Sequence, residues 1–529
     1  MLESLLSPIK IRNMELANRC VVPPMGTNLG NLDGTVSEKN LAYMKRRAES
    51  GVSLIITEIM GVHPSGCVGL GIYDDRFIPG LKQLVDVIHD AGSKAALQLH
   101  HAGREAMLQL EEGEAIGPSA APSFVYGIPP KEMSLDDIQM IIRSFGDGAV
   151  RAQAAGADAV EIHGAHGYLI AQFLSVHANQ RTDEYGGSFA NRARFMIEVV
   201  AEVRKRVGED YPILMRLSAE EFIKHGYQVE DIVGILPDLV AAGTDVIHAS
   251  IGTHGSPGGI TSAPAEYDAG WNVERAKKIK DAVDIPVIAV GRFTDPREAD
   301  AVVASGDADM VAFGRQLLAD PDFLNKAREG RVDDIRRCLA CNQGCIERLM
   351  LEKDSSVRCA INPETGQELI APKGPTETPR RVWVIGSGPA GLTATLEAAN
   401  LGHEVTLYEK SDQLGGQVHF ARRAPYKKVY GDWIDWLAAQ IEKKGVTVKT
   451  GVTVTDEMLE NGDPEVVILA TGGQKSTPEI NGLDQPIVSD AWQILNGEKP
   501  AGKNVVIIGA GLIGMETADF LVNQGSQVT

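Results

Sequence analysis

Apolar residues in the first 315 positions fall in short strand-like runs, separated by longer stretches of helical periodicity. The runs cover residues 19–25, 53–58, 94–100, 157–163, 212–218, 245–250, 286–291 and 310–315. Helix-like stretches such as residues 77–91, 135–156 and 191–207 lie between them. Eight β-runs alternating with helices predict an α/β protein that opens with a (β/α)8 barrel, with an open doubly wound sheet as the alternative topology. A barrel of this kind carries its functional groups at the C-terminal ends of its strands. Thr27, Glu58, Gln98, His100, His101, His163, Arg216, His254, Gly291, Arg292, Gly314 and Arg315 all fall at or just past a predicted strand end.

The pattern changes after the eighth run. Four cysteines crowd into a short segment, and residues 371–379, rich in Pro and poor in apolar side chains, read as a linker. A strand–glycine turn–helix–strand pattern starts at Arg381 and returns at Asn504. The expected organisation is a barrel over residues 1–330, a four-cysteine segment over 331–370, the linker, a Rossmann-like domain over 380–500, and the start of a second Rossmann unit over 501–529. The sequence stops at Thr529, just where a further strand should form. A Rossmann unit needs more strands to close its sheet, so the chain is expected to be a piece of a longer protein.

Composition narrows the function classes. The chain has 529 residues with a formal charge of −20, so it is not expected to bind nucleic acid. The N-terminus has no basic stretch followed by an apolar run, and no segment approaches ~20 consecutive apolar residues. A cytoplasmic protein without membrane contact is expected. Clustered rather than evenly spread cysteines point to metal or redox use, not to a disulfide framework.

Gly386, Gly388 and Gly391 match G-x-G-x-x-G between a strand and a helix, with Ala390 inside the motif. Glu409, 18 residues after Gly391, ends the next strand where an acid can hold ribose hydroxyls, and Lys410, Gly416 and Gln417 follow as further candidates. Gly509, Gly511 and Gly514 repeat the motif. Two dinucleotide sites suggest FAD in one and NADH or NADPH in the other. Cys338, Cys341, Cys345 and Cys359 offer four thiolates. Only the first pair has the C-x2-C spacing of a zinc knuckle, so a [4Fe–4S] cluster fits the spacing better than structural zinc.

In the barrel, Pro24, Met25, Gly26 and Thr27 could place backbone amides and a hydroxyl near a flavin ring, with Glu58 close by. Gln98 can pair with a pyrimidine edge, and Arg216 can balance charge on a reduced flavin. Gly291-Arg292 and Gly314-Arg315 end the seventh and eighth strands, the usual barrel phosphate site. His163, His166 and Tyr168 are spaced to converge on one ligand: two imidazoles can hydrogen-bond a carbonyl oxygen and a phenol can supply a proton. His254 is a further candidate acid or anchor.

The run Glu161-Ile-His-Gly-Ala-His-Gly-Tyr-Leu-Ile-Ala-Gln-Phe-Leu174, continued by residues 179–195, resembles the substrate-site signature of the old yellow enzyme superfamily. With the cysteine segment and the dinucleotide domain, the whole chain is similar to its long iron–sulfur branch. That branch holds bacterial 2,4-dienoyl-CoA reductase, clostridial enoate reductase and related bile-acid and flavonoid reductases. The resemblance implies FMN in the barrel, [4Fe–4S] on the cysteines and FAD in the second domain. It also implies electron flow from NAD(P)H to a C=C bond of an unsaturated small molecule, with Tyr168 as proton donor. His163 and His166 match the oxygen-binding pair of classical members, and His254 a histidine of the dienoyl-CoA reductases, which leaves a thioester, a free acid and an enone open. Relatives in this superfamily commonly form homo-oligomers. An amine dehydrogenase of the trimethylamine dehydrogenase type, or an electron-transfer flavoprotein with no C=C substrate of its own, is the alternative.

Overall fold

The eight predicted runs form eight parallel strands: Cys20–Val22, Leu54–Gly61, Lys94–His100, Ala159–Gly164, Ile213–Ser218, Val246–Ser250, Val287–Val290 and Met310–Ala312. The first pairs with both the eighth and the second, so the sheet closes into a barrel, and the open-sheet alternative is excluded. The computed structural model describes residues 2–529 except 107–113, 353–354, 373 and 477. The described residues divide into two compact units, Met1–Ala371 and Pro372–Thr529.

The helices Ile78–Asp90, Leu135–Ala154 and Phe189–Val207 lie close to their predicted spans. Each carries one apolar face inward, as period-3.6 patterning requires. Ser134 and Ser188 accept the N–H three residues on, which satisfies donors a helix leaves unpaired at its start.

Side chains alternate between the barrel interior and the helical layer. Val21, Leu54, Ile56, Ala96, Ala159, Leu214, Val246, Ile288, Met310 and Ala312 form one buried apolar cluster, the interior floor of the barrel. An antiparallel hairpin, Ile9–Ile11 with Met14–Leu16, adds Ile11, Met14 and Leu16 to that cluster.

The cysteine segment belongs to the barrel unit and is not a separate domain. Val357 N donates to Thr27 O at 2.9 Å, and Asn362 Nδ2 to Leu318 O at 2.8 Å. Glu368 forms a buried ion pair with Arg47 on the helix Glu38–Ala48. The second unit holds a four-stranded parallel sheet in the order Thr447–Lys449, Glu404–Tyr408, Arg381–Ile385, Val466–Leu469, the arrangement expected around a first Rossmann strand. Asn504–Val505 pairs in parallel with Gln527–Val528 across the helix Leu512–Asn523. No described helix is long and apolar enough to cross a membrane.

Candidate active site and cofactor sites

The fourth barrel strand ends at Gly164, and the chain then turns through His166 (φ 60°) and Gly167 (φ 83°). A side chain at position 167 would be strained at that φ and would press on Thr253 at 3.0 Å. The turn brings Tyr168 back among the histidines. Its ring lies 4.3 Å from His100, 5.0 Å from His163 and 4.8 Å from His254, each edge-on. His163 and His166 are 5.1 Å apart between ring centres. The four predicted residues therefore converge, and His100 joins them.

Hydrogen bonds set the protonation of the pair. Ala165 N donates to His163 Nδ1 at 3.2 Å, so neutral His163 carries its proton on Nε2. His166 Nε2 lies 2.6 Å from Ser250 Oγ, which also accepts from Arg216 Nη2 at 3.4 Å. Ser250 Oγ therefore links the His166 imidazole to the Arg216 guanidinium. Burial holds His163 and His166 well below the ordinary imidazole range, with His166 and His100 adding to the effect on His163, and Arg216 and His254 to that on His166. Burial also lowers His254 to about 4 and His101 to about 3. The Tyr168 phenol is pushed up by burial, then by Glu105 and Tyr126, so it stays protonated.

These neutral imidazoles make a stability prediction. Their folded pKa values lie below the unfolded value, so below about pH 6.5 the unfolded chain binds protons that the folded chain refuses. Stability is full above that pH and falls on acidification. His101 and His254 should each cost roughly 2 kcal/mol by about pH 5. The calorimetric Tm of the barrel should drop between about pH 6.5 and 5; a flat profile would contradict the neutral cluster.

The predicted flavin contacts divide. Gln98 gives Nε2 to Glu161 at 2.8 Å and leaves Oε1 buried without a partner. Arg216 is 8% exposed; among the described residues it makes a 3.4 Å contact to Pro24 O and another to Ser250 Oγ, and its Nε has no partner. Orphaned buried donors and acceptors of this kind fit a flavin edge. Gly26 has open space where a Cβ would lie, and Gly314 packs on Met25 Sδ. Thr27 instead spends both its donors on Glu58, its amide at 3.0 Å and its hydroxyl at 2.6 Å. Burial pushes Glu58 up to about 7 against the pull of Thr27.

The two strand-end arginines also differ. Arg292 has a buried, unpartnered Nε, and its charge is disfavoured by burial and then by Arg315. Two neighbouring guanidiniums after Gly291 and Gly314 fit a phosphate dianion. Arg315 already donates to Ser262 O, Ala263 O and Asn342 Oδ1 at 3.2, 2.8 and 2.6 Å, which leaves Arg292 the freer of the two.

The four cysteines are free thiols. Ala340 N donates to Cys338 Sγ at 3.3 Å, and backbone amides of Gln343, Ile346 and Ile361 face Cys341, Cys345 and Cys359. Burial, with a smaller push from the neighbouring thiols, raises Cys345 to about 11 and Cys359 to about 12. Among the described residues no three His, Cys, Asp or Glu side chains stand as a completed ligand set. The amides aimed at sulfur suit thiolate ligands, and the donor chemistry fits an iron–sulfur cluster.

In the second unit, a Cβ at Gly391 would lie 1.8 Å from Gly386 O, and one at Gly514 1.9 Å from Gly509 O. Both helices can approach their strands only over glycine. Gly388 and Gly511 face open space, room for a pyrophosphate. Glu409 accepts from Ser387 and Ser411, four bonds that outweigh burial and hold its pKa low. Gln417 Nε2 donates to Gly473 O at 2.8 Å and Gly416 packs on Gly388, while Ala390 and Lys410 are exposed.

Residues 4–334 match the family described as NADH:flavin oxidoreductase / NADH oxidase, and residues 380–529 match pyridine nucleotide-disulphide oxidoreductase. The chain belongs to the NADH:flavin oxidoreductase / NADH oxidase family. It is 42% identical over 538 residues to an NADH oxidase from Thermoanaerobacter brockii, covering 99% of this chain and 82% of that protein. A cinnamate reductase from Clostridium sporogenes is 35% identical over 99% of this chain and 82% of its own. A solved 2-naphthoyl-CoA reductase, bound to 2-naphthoyl-CoA, superposes with a TM-score of 0.94 at 34% identity, covering 100% of this chain and 83% of that one. This member of the old yellow enzyme superfamily, in its iron–sulfur branch, is an NAD(P)H-dependent oxidoreductase with flavin and pyridine-nucleotide domains.

Glu161, His248 and Ser250 were not singled out as site residues by sequence. Their period-two spacing on strands whose ends carry Gln98, His163 and Arg216 was the available signal. Of the loops that follow the second and third barrel strands, residues 63–73 and 105–130, positions 107–113 lie outside the described residues.

Proposed function

We propose that this chain is an ene-reductase that saturates the C=C bond of an α,β-unsaturated carbonyl compound: an enoate, a dienoyl-CoA, or an enone such as a 3-oxo-Δ4 steroid or a flavonoid. The observation that carries the reading is the protonated Tyr168 phenol set among neutral His163, His166 and His254. The relatives named for cinnamate and 2-naphthoyl-CoA reduction support an unsaturated acyl substrate.

FMN would be held by Gln98, Arg216 and Arg292, and when bound it supplies the hydride. His163, with its proton on Nε2, is suited to donate to the substrate oxygen. Negative charge grows on that oxygen in the transition state, so a fixed donor there lowers the barrier. Tyr168 holds the proton destined for the α-carbon. His254, neutral at working pH, orients Tyr168 through its ring and does not compete as an acid. FAD and NADH or NADPH would use the fingerprints at Gly386 and Gly509, and a [4Fe–4S] cluster would use Cys338, Cys341, Cys345 and Cys359.

Anaerobically purified full-length protein should contain iron, sulfide, FMN and FAD, bleach with NADH or NADPH, and be reoxidised by cinnamate, an enone or a dienoyl-CoA. Reduction without reoxidation by any of the three would reject the ene-reductase reading.

A further inference from the structure

The barrel interior changes character two residues above its apolar floor. Ala96, Ala159, Leu214 and Val246 belong to the floor. With period two, the next inward positions on the same four strands are Gln98, Glu161, Arg216 and His248. Gln98, Glu161 and His248 are fully buried and Arg216 is 8% exposed. Gln98 stands opposite Glu161 in the ladder, and Arg216 opposite His248.

Glu161 is the hub of this layer. Its Oε1 accepts from Gln98 Nε2 and its Oε2 from His248 Nδ1, both at 2.8 Å. A carboxylate only accepts, so the chemistry fixes both partners' orientation. The Gln98 amide must turn its nitrogen to Glu161 and its oxygen away. His248 must carry its proton on Nδ1 and keep a lone pair on Nε2. Gln98 Oε1, His248 Nε2 and Arg216 Nε are all left without partners among the described residues, so the layer presents two acceptors beside one cation. Unpaired groups this deeply buried call for a ligand.

We propose that Glu161 and His248 are positioning residues for the barrel flavin. This rests on the reading that FMN is held by Gln98 and Arg216. The carboxylate locks the Gln98 amide so that its oxygen meets the ring N–H of the flavin's pyrimidine edge, and His248 locks the carboxylate. The charge on Glu161 opposes that of Arg216 and tempers the flavin's affinity for electrons.

The test is made on full-length protein stripped of flavin and refilled with FAD, then titrated with FMN, with the FMN potential read by dye equilibration. E161Q keeps the shape and removes the charge, so the FMN potential should rise. H248L leaves one carboxylate oxygen bare and lets the Gln98 amide turn to fill it. FMN Kd should then weaken about tenfold, the scale of one hydrogen bond to a charged group. H248N keeps a donor at the Nδ1 position and should restore Kd to within about threefold of wild type. An E161Q potential equal to wild type, with FMN binding the same in H248L and H248N, overturns the proposal. E161Q, being isosteric, decides by potential if H248L does not fold. Wild-type protein that takes up no FMN would instead overturn the underlying flavin reading.

Discussion

Replacing Tyr168 by Phe should lower kcat for an unsaturated carbonyl substrate by about 10²–10⁴-fold, the usual contribution of a positioned general acid. The rate at which NAD(P)H reduces the protein should stay unchanged. The phenol precedes the helix Leu169–Leu174 but makes no side-chain capping bond, so the helix start does not depend on its hydroxyl. Phe keeps the edge-on contacts to His100, His163 and His254 and loses only the hydroxyl that carries the proton. Separate stopped-flow measurements of the two half-reactions check this. Equal reoxidation rates in wild type and variant would show that an unsaturated substrate does not take its proton from Tyr168, as an electron-transfer scaffold predicts.

Removing Glu368 should loosen the cysteine segment from the barrel at a cost of about 3–5 kcal/mol. Arg47 is 1% exposed, its guanidinium stacks 3.8 Å from the Tyr43 ring centre, and Glu368 is its ion-pair partner. Glu368 also accepts from Gly366 N at 3.0 Å, which ties the carboxylate to its own turn. Glu368→Ala leaves a buried cation uncompensated. A double change, Arg47→Leu with Glu368→Leu, removes both charges and should recover most of the loss. Hydrogen exchange over residues 355–371 reads the local opening directly. Unchanged protection in Glu368→Ala would show that other contacts, such as Asn362 to Leu318, hold the segment alone.

Much of the architecture was legible in the chain because period and punctuation are local properties. Eight apolar runs at barrel spacing became eight barrel strands, and two glycine fingerprints became two turns that admit no Cβ at Gly391 or Gly514. The His163–His166–Tyr168 spacing was readable for the same reason: all three sit within one strand end and one turn. The cysteine segment was harder. Its composition set it apart, but its attachment depends on Arg47 and Thr27, hundreds of residues away, and no local pattern announces such partners.

The sequence by itself determined the barrel, the Rossmann units and the presence of a phenol among imidazoles. Those follow from alternation, glycine geometry and short spacing. Only the tertiary structure decided how the polar groups are spent. Strand register set Glu161 between Gln98 and His248, turned Thr27 toward Glu58, and gave Arg315 to carbonyls while leaving Arg292 Nε without a partner among the described residues. Burial then made the histidines neutral and kept Tyr168 protonated. Hydrogen-bond partners and desolvation arise from residues far apart in the chain, so they come into being only when the barrel closes.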